Sequence, residues 1–167
     1  MSFEALNLDE RLMRSINALN FTQPTDIQRE AIPHILASKD IMASAQTGTG
    51  KTAAFMLPTL HRLLNNPAGP GRGPRVLVLT PTRELAQQVK DAVRSFGAHT
   101  KLICGDIVGG VSYFHQERLL RQAVDILVAT PGRLLDHMER GRIDFSRLEM
   151  LILDEADRML DMGFIDD

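Results

Sequence analysis

Two strings of residues in this 167-residue chain have types and spacing suited to chemistry. The first is Ala45-Gln46-Thr47-Gly48-Thr49-Gly50-Lys51-Thr52, which follows a short apolar run, Ile41-Met42-Ala43, and leads into a helical pattern. Gly48 and Gly50 let backbone N–H groups curl around phosphate oxygens, and the start of the next helix adds partial positive charge. Lys51 can reach the β- and γ-phosphates of a nucleotide, and the Thr52 hydroxyl can ligate Mg²⁺. Phosphate loops generally open on Gly; Ala45 is small enough for that place if its backbone angle is negative. The second string is Asp154-Glu155-Ala156-Asp157, directly after the apolar Met150-Leu151-Ile152-Leu153. Beside a phosphate loop, Asp154 can hold Mg²⁺, largely through water, and Glu155 can orient an attacking water. The bland alternative is an acidic helix start, favoured by the helix dipole. Bound ATP with Mg²⁺ is the expectation.

The elements that must position these strings alternate. Val76-Leu77-Val78-Leu79, Leu102-Ile103-Cys104, Ile126-Leu127-Val128-Ala129 and Leu151-Ile152-Leu153 read as strands buried on both faces, with Ile41-Met42-Ala43 a weaker first member. Between them, Ala53, Ala54, Leu57, Leu60 and Leu64 share one helical face, and Leu85, Ala86, Val89, Ala92, Val93 and Phe96 share another. This predicts an α/β fold, a mostly parallel central sheet with helices on both faces and ligands at the carboxyl ends of the strands. Residues 1–38 read as an added helical segment. One helix carries Leu8, Leu12, Met13, Ile16 and Leu19, and a second starts near Thr25 and is interrupted by Pro33. Residues 39–167 form the domain proper. The Gly- and Pro-rich stretch at 65–74 reads as an exposed, flexible connection within that domain.

Composition narrows the class. Hydrophobic residues are 44% and charged residues 24% of the chain, with no apolar run long enough to span a bilayer, so a globular protein without a membrane partner is expected. The single cysteine, Cys104, cannot form an internal disulfide and favours a reducing, cytoplasmic setting. A net charge of −2 gives no bulk signature for nucleic acid, so any such binding must come from local sites. His34, His61, His99, His115 and His137 are scattered without ligand spacing and are given no role.

With both strings in place the chain resembles the N-terminal RecA-like P-loop domain of DEAD-box ATP-dependent RNA helicases, in a bacterial style. The resemblance runs in order through Phe21 with Pro24-Thr25-Asp26-Ile27-Gln28, the 45–52 string, Pro81-Thr82-Arg83-Glu84-Leu85-Ala86, Gly109-Gly110, Thr130-Pro131-Gly132-Arg133, and the 154–157 string. It implies that Gln28 reads the adenine edge, since an amide pairs with both N6 and N7 of adenine. Phe21, Thr25 and the isolated Phe3 would complete that end of the nucleotide site. The family usually has Gly where Asn20 stands, and Asn tolerates the left-handed backbone such a turn needs.

The resemblance further implies that Pro81, Thr82, Arg83, Gly109, Gly110, Thr130, Pro131, Gly132 and Arg133 hold single-stranded RNA, or a strand of a short duplex, by its sugar-phosphate backbone. The residue types suit this: a hydroxyl and a guanidinium beside helix starts favour phosphate, and paired glycines allow close approach. Their bland alternatives are a helix cap at Thr82, a turn at Gly109-Gly110 and a helix start at Pro131. Backbone contacts imply little base specificity, with 2′-hydroxyl contacts separating RNA from DNA.

In the family a Ser-Ala-Thr segment and a second RecA-like domain follow the equivalent of Asp167, and that domain supplies arginines to the γ-phosphate. The resemblance therefore implies an RNA-dependent ATPase that locally unwinds short duplexes, with a C-terminal domain of the same protein as partner. This chain alone would be a monomer that binds nucleotide, and RNA weakly, with negligible turnover. Lys51, Asp154 and Glu155 would carry the catalysis. A nucleotide-gated RNA- or protein-binding module without significant hydrolysis is the alternative.

Overall fold

The computed structural model describes residues 2–37, 50–155 and 159. The expected strand at Ile41-Met42-Ala43, the loop residues Ala45, Gln46, Thr47, Gly48 and Thr49, the boundary at 38–39, and Ala156 and Asp157 lie outside the described residues. The chain forms two units, Met1–Pro67 with Ala92–Lys101, and Ala68–Asp91 with Leu102–Asp167. One change from the first unit to the second falls inside the 65–74 stretch.

The first unit is helical. After a 3-10 turn, Glu4–Leu6, come α1 (Glu10–Ala18), α2 (Asp26–Leu36) and α3 (Lys51–Asn65). Asp9 caps α1 by accepting the Arg11 N–H at 2.9 Å, which satisfies a donor that the helix start would otherwise leave open. Leu12 and Ile16 from α1, Ile32 from α2, and Leu57 and Leu60 from α3 are fully buried. Met13 is half-buried and Leu19 exposed, so the apolar stripe read along α1 is only partly used. Pro33 does not interrupt α2, contrary to the sequence expectation; the helix runs through it, and the Ala37 N–H donates to the Pro33 carbonyl at 3.0 Å. An interior proline costs about 3 kcal/mol. Burying Ile32 and Ile35 returns about 1.5–3 kcal/mol each, enough to hold the helix together. Asn20 adopts the left-handed backbone expected of it, with φ of 60°.

The second unit holds the sheet. Its elements are β1 (Val76–Leu79), α4 (Arg83–Phe96, whose last residues belong to the first unit), β2 (Cys104–Ile107), α5 (Tyr113–Leu120), β3 (Ile126–Ala129), α6 (Pro131–Glu139) and β4 (Met150–Leu153). The four strands are parallel, in the order β2-β3-β1-β4. Leu77, Ile107, Leu127, Ala129 and Leu134 form a core that Leu119, Leu120, Ile143, Phe145 and Leu148 extend. On α4 the expected stripe is buried at Ala86, Val89, Val93 and Phe96, with Leu85 and Ala92 half-buried.

Two strand expectations need correction. The second strand lies at Cys104–Ile107, beginning at the last residue of the apolar run Leu102-Ile103-Cys104. An apolar count passes over it because Asp106 brings a charge into the strand, and Lys90 of α4 neutralises that charge at 2.7 Å. The last strand is not buried on both faces: it alternates half-buried and exposed residues among those described, with Leu151 at 54% and Leu153 at 42% exposure. It is the end strand of the described sheet, where one-sided covering produces a period of two.

Candidate nucleotide pocket and strand-end site

The nucleotide-binding expectation is carried, in the described residues, by the join between α2 and the start of α3. Thr25 and Gln28 form a capping box: the Gln28 N–H donates to Thr25 Oγ1 at 3.4 Å, and the Thr25 N–H donates to Gln28 Oε1 at 2.9 Å. The same Gln28 then reaches 22 residues along the chain, its Nε2 donating to the Gly50 carbonyl at 3.2 Å. Each end of the amide retains capacity, since Nε2 has a second hydrogen and Oε1 a second lone pair.

Gly50 is the N-cap of α3 and has φ of 85°. A Cβ there would lie 2.6 Å from Gln28 Nε2 and 3.1 Å from Thr25 Oγ1, so the close approach of loop and helix requires glycine. Lys51 and Thr52 follow as the first helical residues, where backbone N–H groups point outward from the helix start. A pocket of about 750 Å³ opens here, lined by Phe3, Phe21, Thr25, Gln28 and Gly50 among others. Phe3 is almost wholly buried, whereas Phe21 is 39% exposed and tilts against Phe96 with ring centroids 6.0 Å apart. A pocket lined by two aromatic rings and several polar side chains, with the Gln28 amide beside a helix start, has a form that can take a base and its phosphates.

In the second unit the register sets the site. Leu79, Ala129 and Ile107 stand opposite one another in β1, β3 and β2, and Leu79 also faces Leu153 in β4. The next residues therefore leave the sheet side by side: Thr80 and Pro81 after β1, Thr130 and Pro131 after β3, Val108 and Gly109 after β2, and Asp154 after β4. Backbone bonds continue the ladder, from Thr80 N–H to Ala129, Thr130 N–H to Ile107 and Asp154 N–H to Leu79. Asp154 is 7% exposed at the sheet's edge, and Glu155 holds a left-handed backbone with φ of 55°, a conformation sparsely populated by non-glycine residues and found preferentially at functional sites.

Among the RNA candidates, the bland roles are all present: Thr82 Oγ1 caps α4 by accepting the Leu85 N–H at 3.2 Å, Gly110 turns with φ of 78°, and Pro131 is the first residue of α6. The structure nevertheless brings several of them together. A Cβ on Gly110 would lie 2.8 Å from Arg83 Nη1, so the Arg83 guanidinium packs directly on that turn. One residue further, the Val111 carbonyl accepts from Arg133 Nη1 at 2.8 Å. Arg83, the Gly109-Gly110 turn and Arg133 thus form one continuous patch, with Gly109 and Gly132 exposed beside it. Thr130 is half-buried and makes no side-chain cap, and Pro81 and Pro131 are buried.

Sequence reading missed the residues that brace this patch. Gln116 is 3% exposed and donates from Nε2 to the Val108 carbonyl at 2.8 Å, while its Oε1 accepts from Arg133 Nη1 at 3.0 Å. His137, set aside at first, is wholly buried with Nε2 2.8 Å from the same Oε1. Because that oxygen only accepts, His137 Nε2 carries the proton. Burial, with the nearby charges of Arg142, Arg133 and Arg140, holds the His137 pKa below its ordinary value, in keeping with a neutral ring. Tyr113 lies beneath two guanidinium groups, Arg133 at 3.9 Å and Arg140 at 4.3 Å from the ring centre, and its hydroxyl donates to Asp136 Oδ2 at 2.6 Å. A buried glutamine on the helix that follows a strand carries no sequence signal of its own.

A parallel α/β sheet with polar residues gathered at its carboxyl edge in one unit, and a base-sized pocket at a helix start in the other, define a nucleotide-binding class of protein. Comparison with known proteins narrows this. The sequence model of the DEAD/DEAH box helicase family matches residues 25–167. The ATP-dependent RNA helicase SrmB of Escherichia coli is 49% identical over 99% of this chain and 37% of its own length. A probable ATP-dependent RNA helicase, ddx27 of Dictyostelium discoideum, is 50% identical over 99% of this chain and 21% of its own. The crystal structure of a hypothetical ATP-dependent RNA helicase from Sulfolobus tokodaii superposes with a TM-score of 0.85 at 40% identity, covering 95% of this chain and 45% of that one. The chain belongs to the DEAD/DEAH box helicase family, and its fold is the RecA-like α/β arrangement. It spans less than half the length of each of these relatives. Nearly equal identity to a bacterial and a eukaryotic relative means that identity alone does not separate the two sources. No helix among the described residues is long and apolar enough to cross a membrane.

Proposed function

We propose that this chain is the ATP-binding half of an RNA-dependent ATPase that opens short RNA duplexes. The observation that carries the reading is the hydrogen bond between Gln28 and the Gly50 carbonyl, which ties a base-reading amide to the last residue before the phosphate-binding Lys51 and Thr52. In this reading Gln28 takes the adenine edge, Phe3, Phe21 and Thr25 shape that end of the pocket, and residues 45–52 receive the phosphates.

The donor set suits Mg²⁺. Thr52 and Asp154 are each hard oxygen donors, and among the described residues no three His, Cys, Asp or Glu side chains gather to form a protein-built metal cage. Mg²⁺ commonly takes few protein ligands and keeps phosphate and water for the rest; when bound it offsets the phosphate charge. Lys51 places a cation at the helix start, and Glu155 orients a water. Arg83, Gly109, Gly110 and Arg133, with Pro81, Thr82, Thr130, Pro131 and Gly132, receive an RNA backbone, so the segment selects RNA over DNA without selecting a base sequence. A second domain completes both sites in the longer protein, and turnover by this chain alone is negligible.

Calorimetric titration with ADP-Mg²⁺ and GDP-Mg²⁺ tests the reading. ADP binding that weakens in Gln28→Ala and in Lys51→Ala, with GDP silent, is the expected result. Equal binding of ADP and GDP would sink the assignment of Gln28.

A further inference from the structure

Both carbonyls that flank the Gly109-Gly110 turn are held, and both bonds trace back to one amide. Gln116 donates to the Val108 carbonyl directly. It reaches the Val111 carbonyl through Arg133, whose Nη1 is shared between that carbonyl and Gln116 Oε1. The acceptor side of the amide is filled by a second donor, His137 Nε2, and the Arg133 guanidinium is pressed on the Tyr113 ring. Arg133 is therefore fixed by two acceptors on one nitrogen and a ring on its face. Its Nη2 and Nε donate to nothing among the described residues.

An arginine oriented this way presents a preset edge to a phosphate, and contact then costs little further side-chain ordering. Resting on the RNA reading above, we propose that Gln116 is the positioning residue of the RNA-backbone site: it locks Arg133 and the Gly109-Gly110 turn in mutual register, and it acts on RNA only through them. The burial of Gln116 at 3% exposure keeps it from touching RNA itself. Replacing its amide with an apolar side chain of similar size would leave the Val108 carbonyl and the His137 N–H without their partner, and would free Arg133 to swing.

The test is a double-mutant cycle on RNA affinity, read by fluorescence anisotropy of a labelled ten-nucleotide oligouridine with this chain at low salt, and ADP titration alongside. Arg133→Ala is expected to weaken RNA binding about tenfold, the size of a lost charge-assisted bond. Gln116→Leu is expected to weaken it by about threefold or more, and the double variant to be no weaker than Arg133→Ala alone. ADP affinity stays at the wild-type value throughout. Losses that multiply in the double variant, or full affinity in Gln116→Leu where Arg133→Ala is weakened, would overturn the positioning role. If Arg133→Ala binds RNA as tightly as wild type, the RNA reading of this patch fails and the inference falls with it. Should Gln116→Leu not fold, Gln116→Glu keeps the acceptor for Arg133 and His137. Its second oxygen would face the Val108 carbonyl in place of the amide N–H, so it is expected to weaken RNA binding by about threefold or more with ADP affinity unchanged, and full RNA affinity overturns the proposal.

Discussion

Gln28 Nε2 lies 3.2 Å from the Gly50 carbonyl oxygen, so the side chain that closes the first turn of α2 also fixes the residue that opens α3. One amide does the work of a helix cap and of a tether between two helices. In the proposed reading this bond joins base recognition to phosphate binding inside the first unit.

Gly50→Ala should separate them. The added methyl would sit 2.6 Å from Gln28 Nε2 on a backbone with φ of 85°. The left-handed conformation alone costs a non-glycine residue about 1–2 kcal/mol, and displacement of Gln28 adds to it. We expect a lower midpoint in thermal unfolding and at least a tenfold loss of ADP affinity by calorimetry, equivalent to about 1.4 kcal/mol.

Gly110→Ala is the counterpart in the second unit. Its methyl would meet Arg83 Nη1 at 2.8 Å, again at positive φ. The guanidinium is at the far end of a flexible chain and will swing away, so the stability cost should stay near the about 1–2 kcal/mol of the backbone. RNA affinity should fall while ADP affinity holds, a split that anisotropy and calorimetry on one preparation would show. An equal fall in both would mean that the substitution unfolds more than its own turn.

The first unit should weaken on acidification in two stages. His61 Nδ1 accepts the Asp9 N–H at 2.9 Å and must be unprotonated, and burial holds its pKa below the ordinary value of 6.5 against the pull of the Asp9 charge. A histidine whose folded pKa is depressed contributes stability that is complete above the unfolded value and is lost as pH falls through it. The stability difference between wild type and His61→Phe, measured by urea unfolding, should be constant above pH 7 at about 1 kcal/mol and narrow below 6.5. Asp9, lowered to about 2 chiefly by its Arg11 hydrogen bond, gives the second stage. Its contribution is present above pH 3.8 and disappears as the pH falls toward 2.

Glu149→Ala tests the ion pair that holds the start of β1 to the start of β4. Arg75 Nε donates to Glu149 Oε2 at 2.5 Å; the arginine is 4% exposed and the glutamate 35%. A half-buried pair falls between the near-zero value of a surface pair and the 3–5 kcal/mol of a buried one, so a loss of about 2 kcal/mol is expected in denaturant unfolding. Nucleotide affinity should be unaffected.

How far the sequence could be read follows from what each feature depends on. Elements with a strong local signal were legible: the stripe from Ala86 through Phe96, the helix start near Thr25, and the apolar runs of β1 and β3. Features settled by tertiary pairing were not. Asp106 hid β2 because its neutralising partner, Lys90, is 16 residues away. Pro33 looked like a helix stop because the packing that carries α2 through it is contributed by other helices. At the candidate site, residues that would touch ligand stand in recognisable strings, whereas Gln116, Tyr113 and His137 act by bracing those strings from behind. Their types are ordinary, and only the fold brings them together.

The parallel register described for β2, β3, β1 and β4 has a consequence for what this family can vary. Neighbouring strands lie about 4.8 Å apart, so the four strand ends form a ruler about 14 Å long whose graduations are the positions of Val108, Thr130, Thr80 and Asp154. Loops between strands can lengthen without moving a graduation. A one-residue insertion within β3 would instead turn every later side chain of that strand to the opposite face and shift the Thr130 graduation along the strand. Inheritance should therefore tolerate insertions at 65–74 and around 121–124, and refuse them inside the four-residue strands, which a scan of single-residue insertions would reveal as four short windows of intolerance.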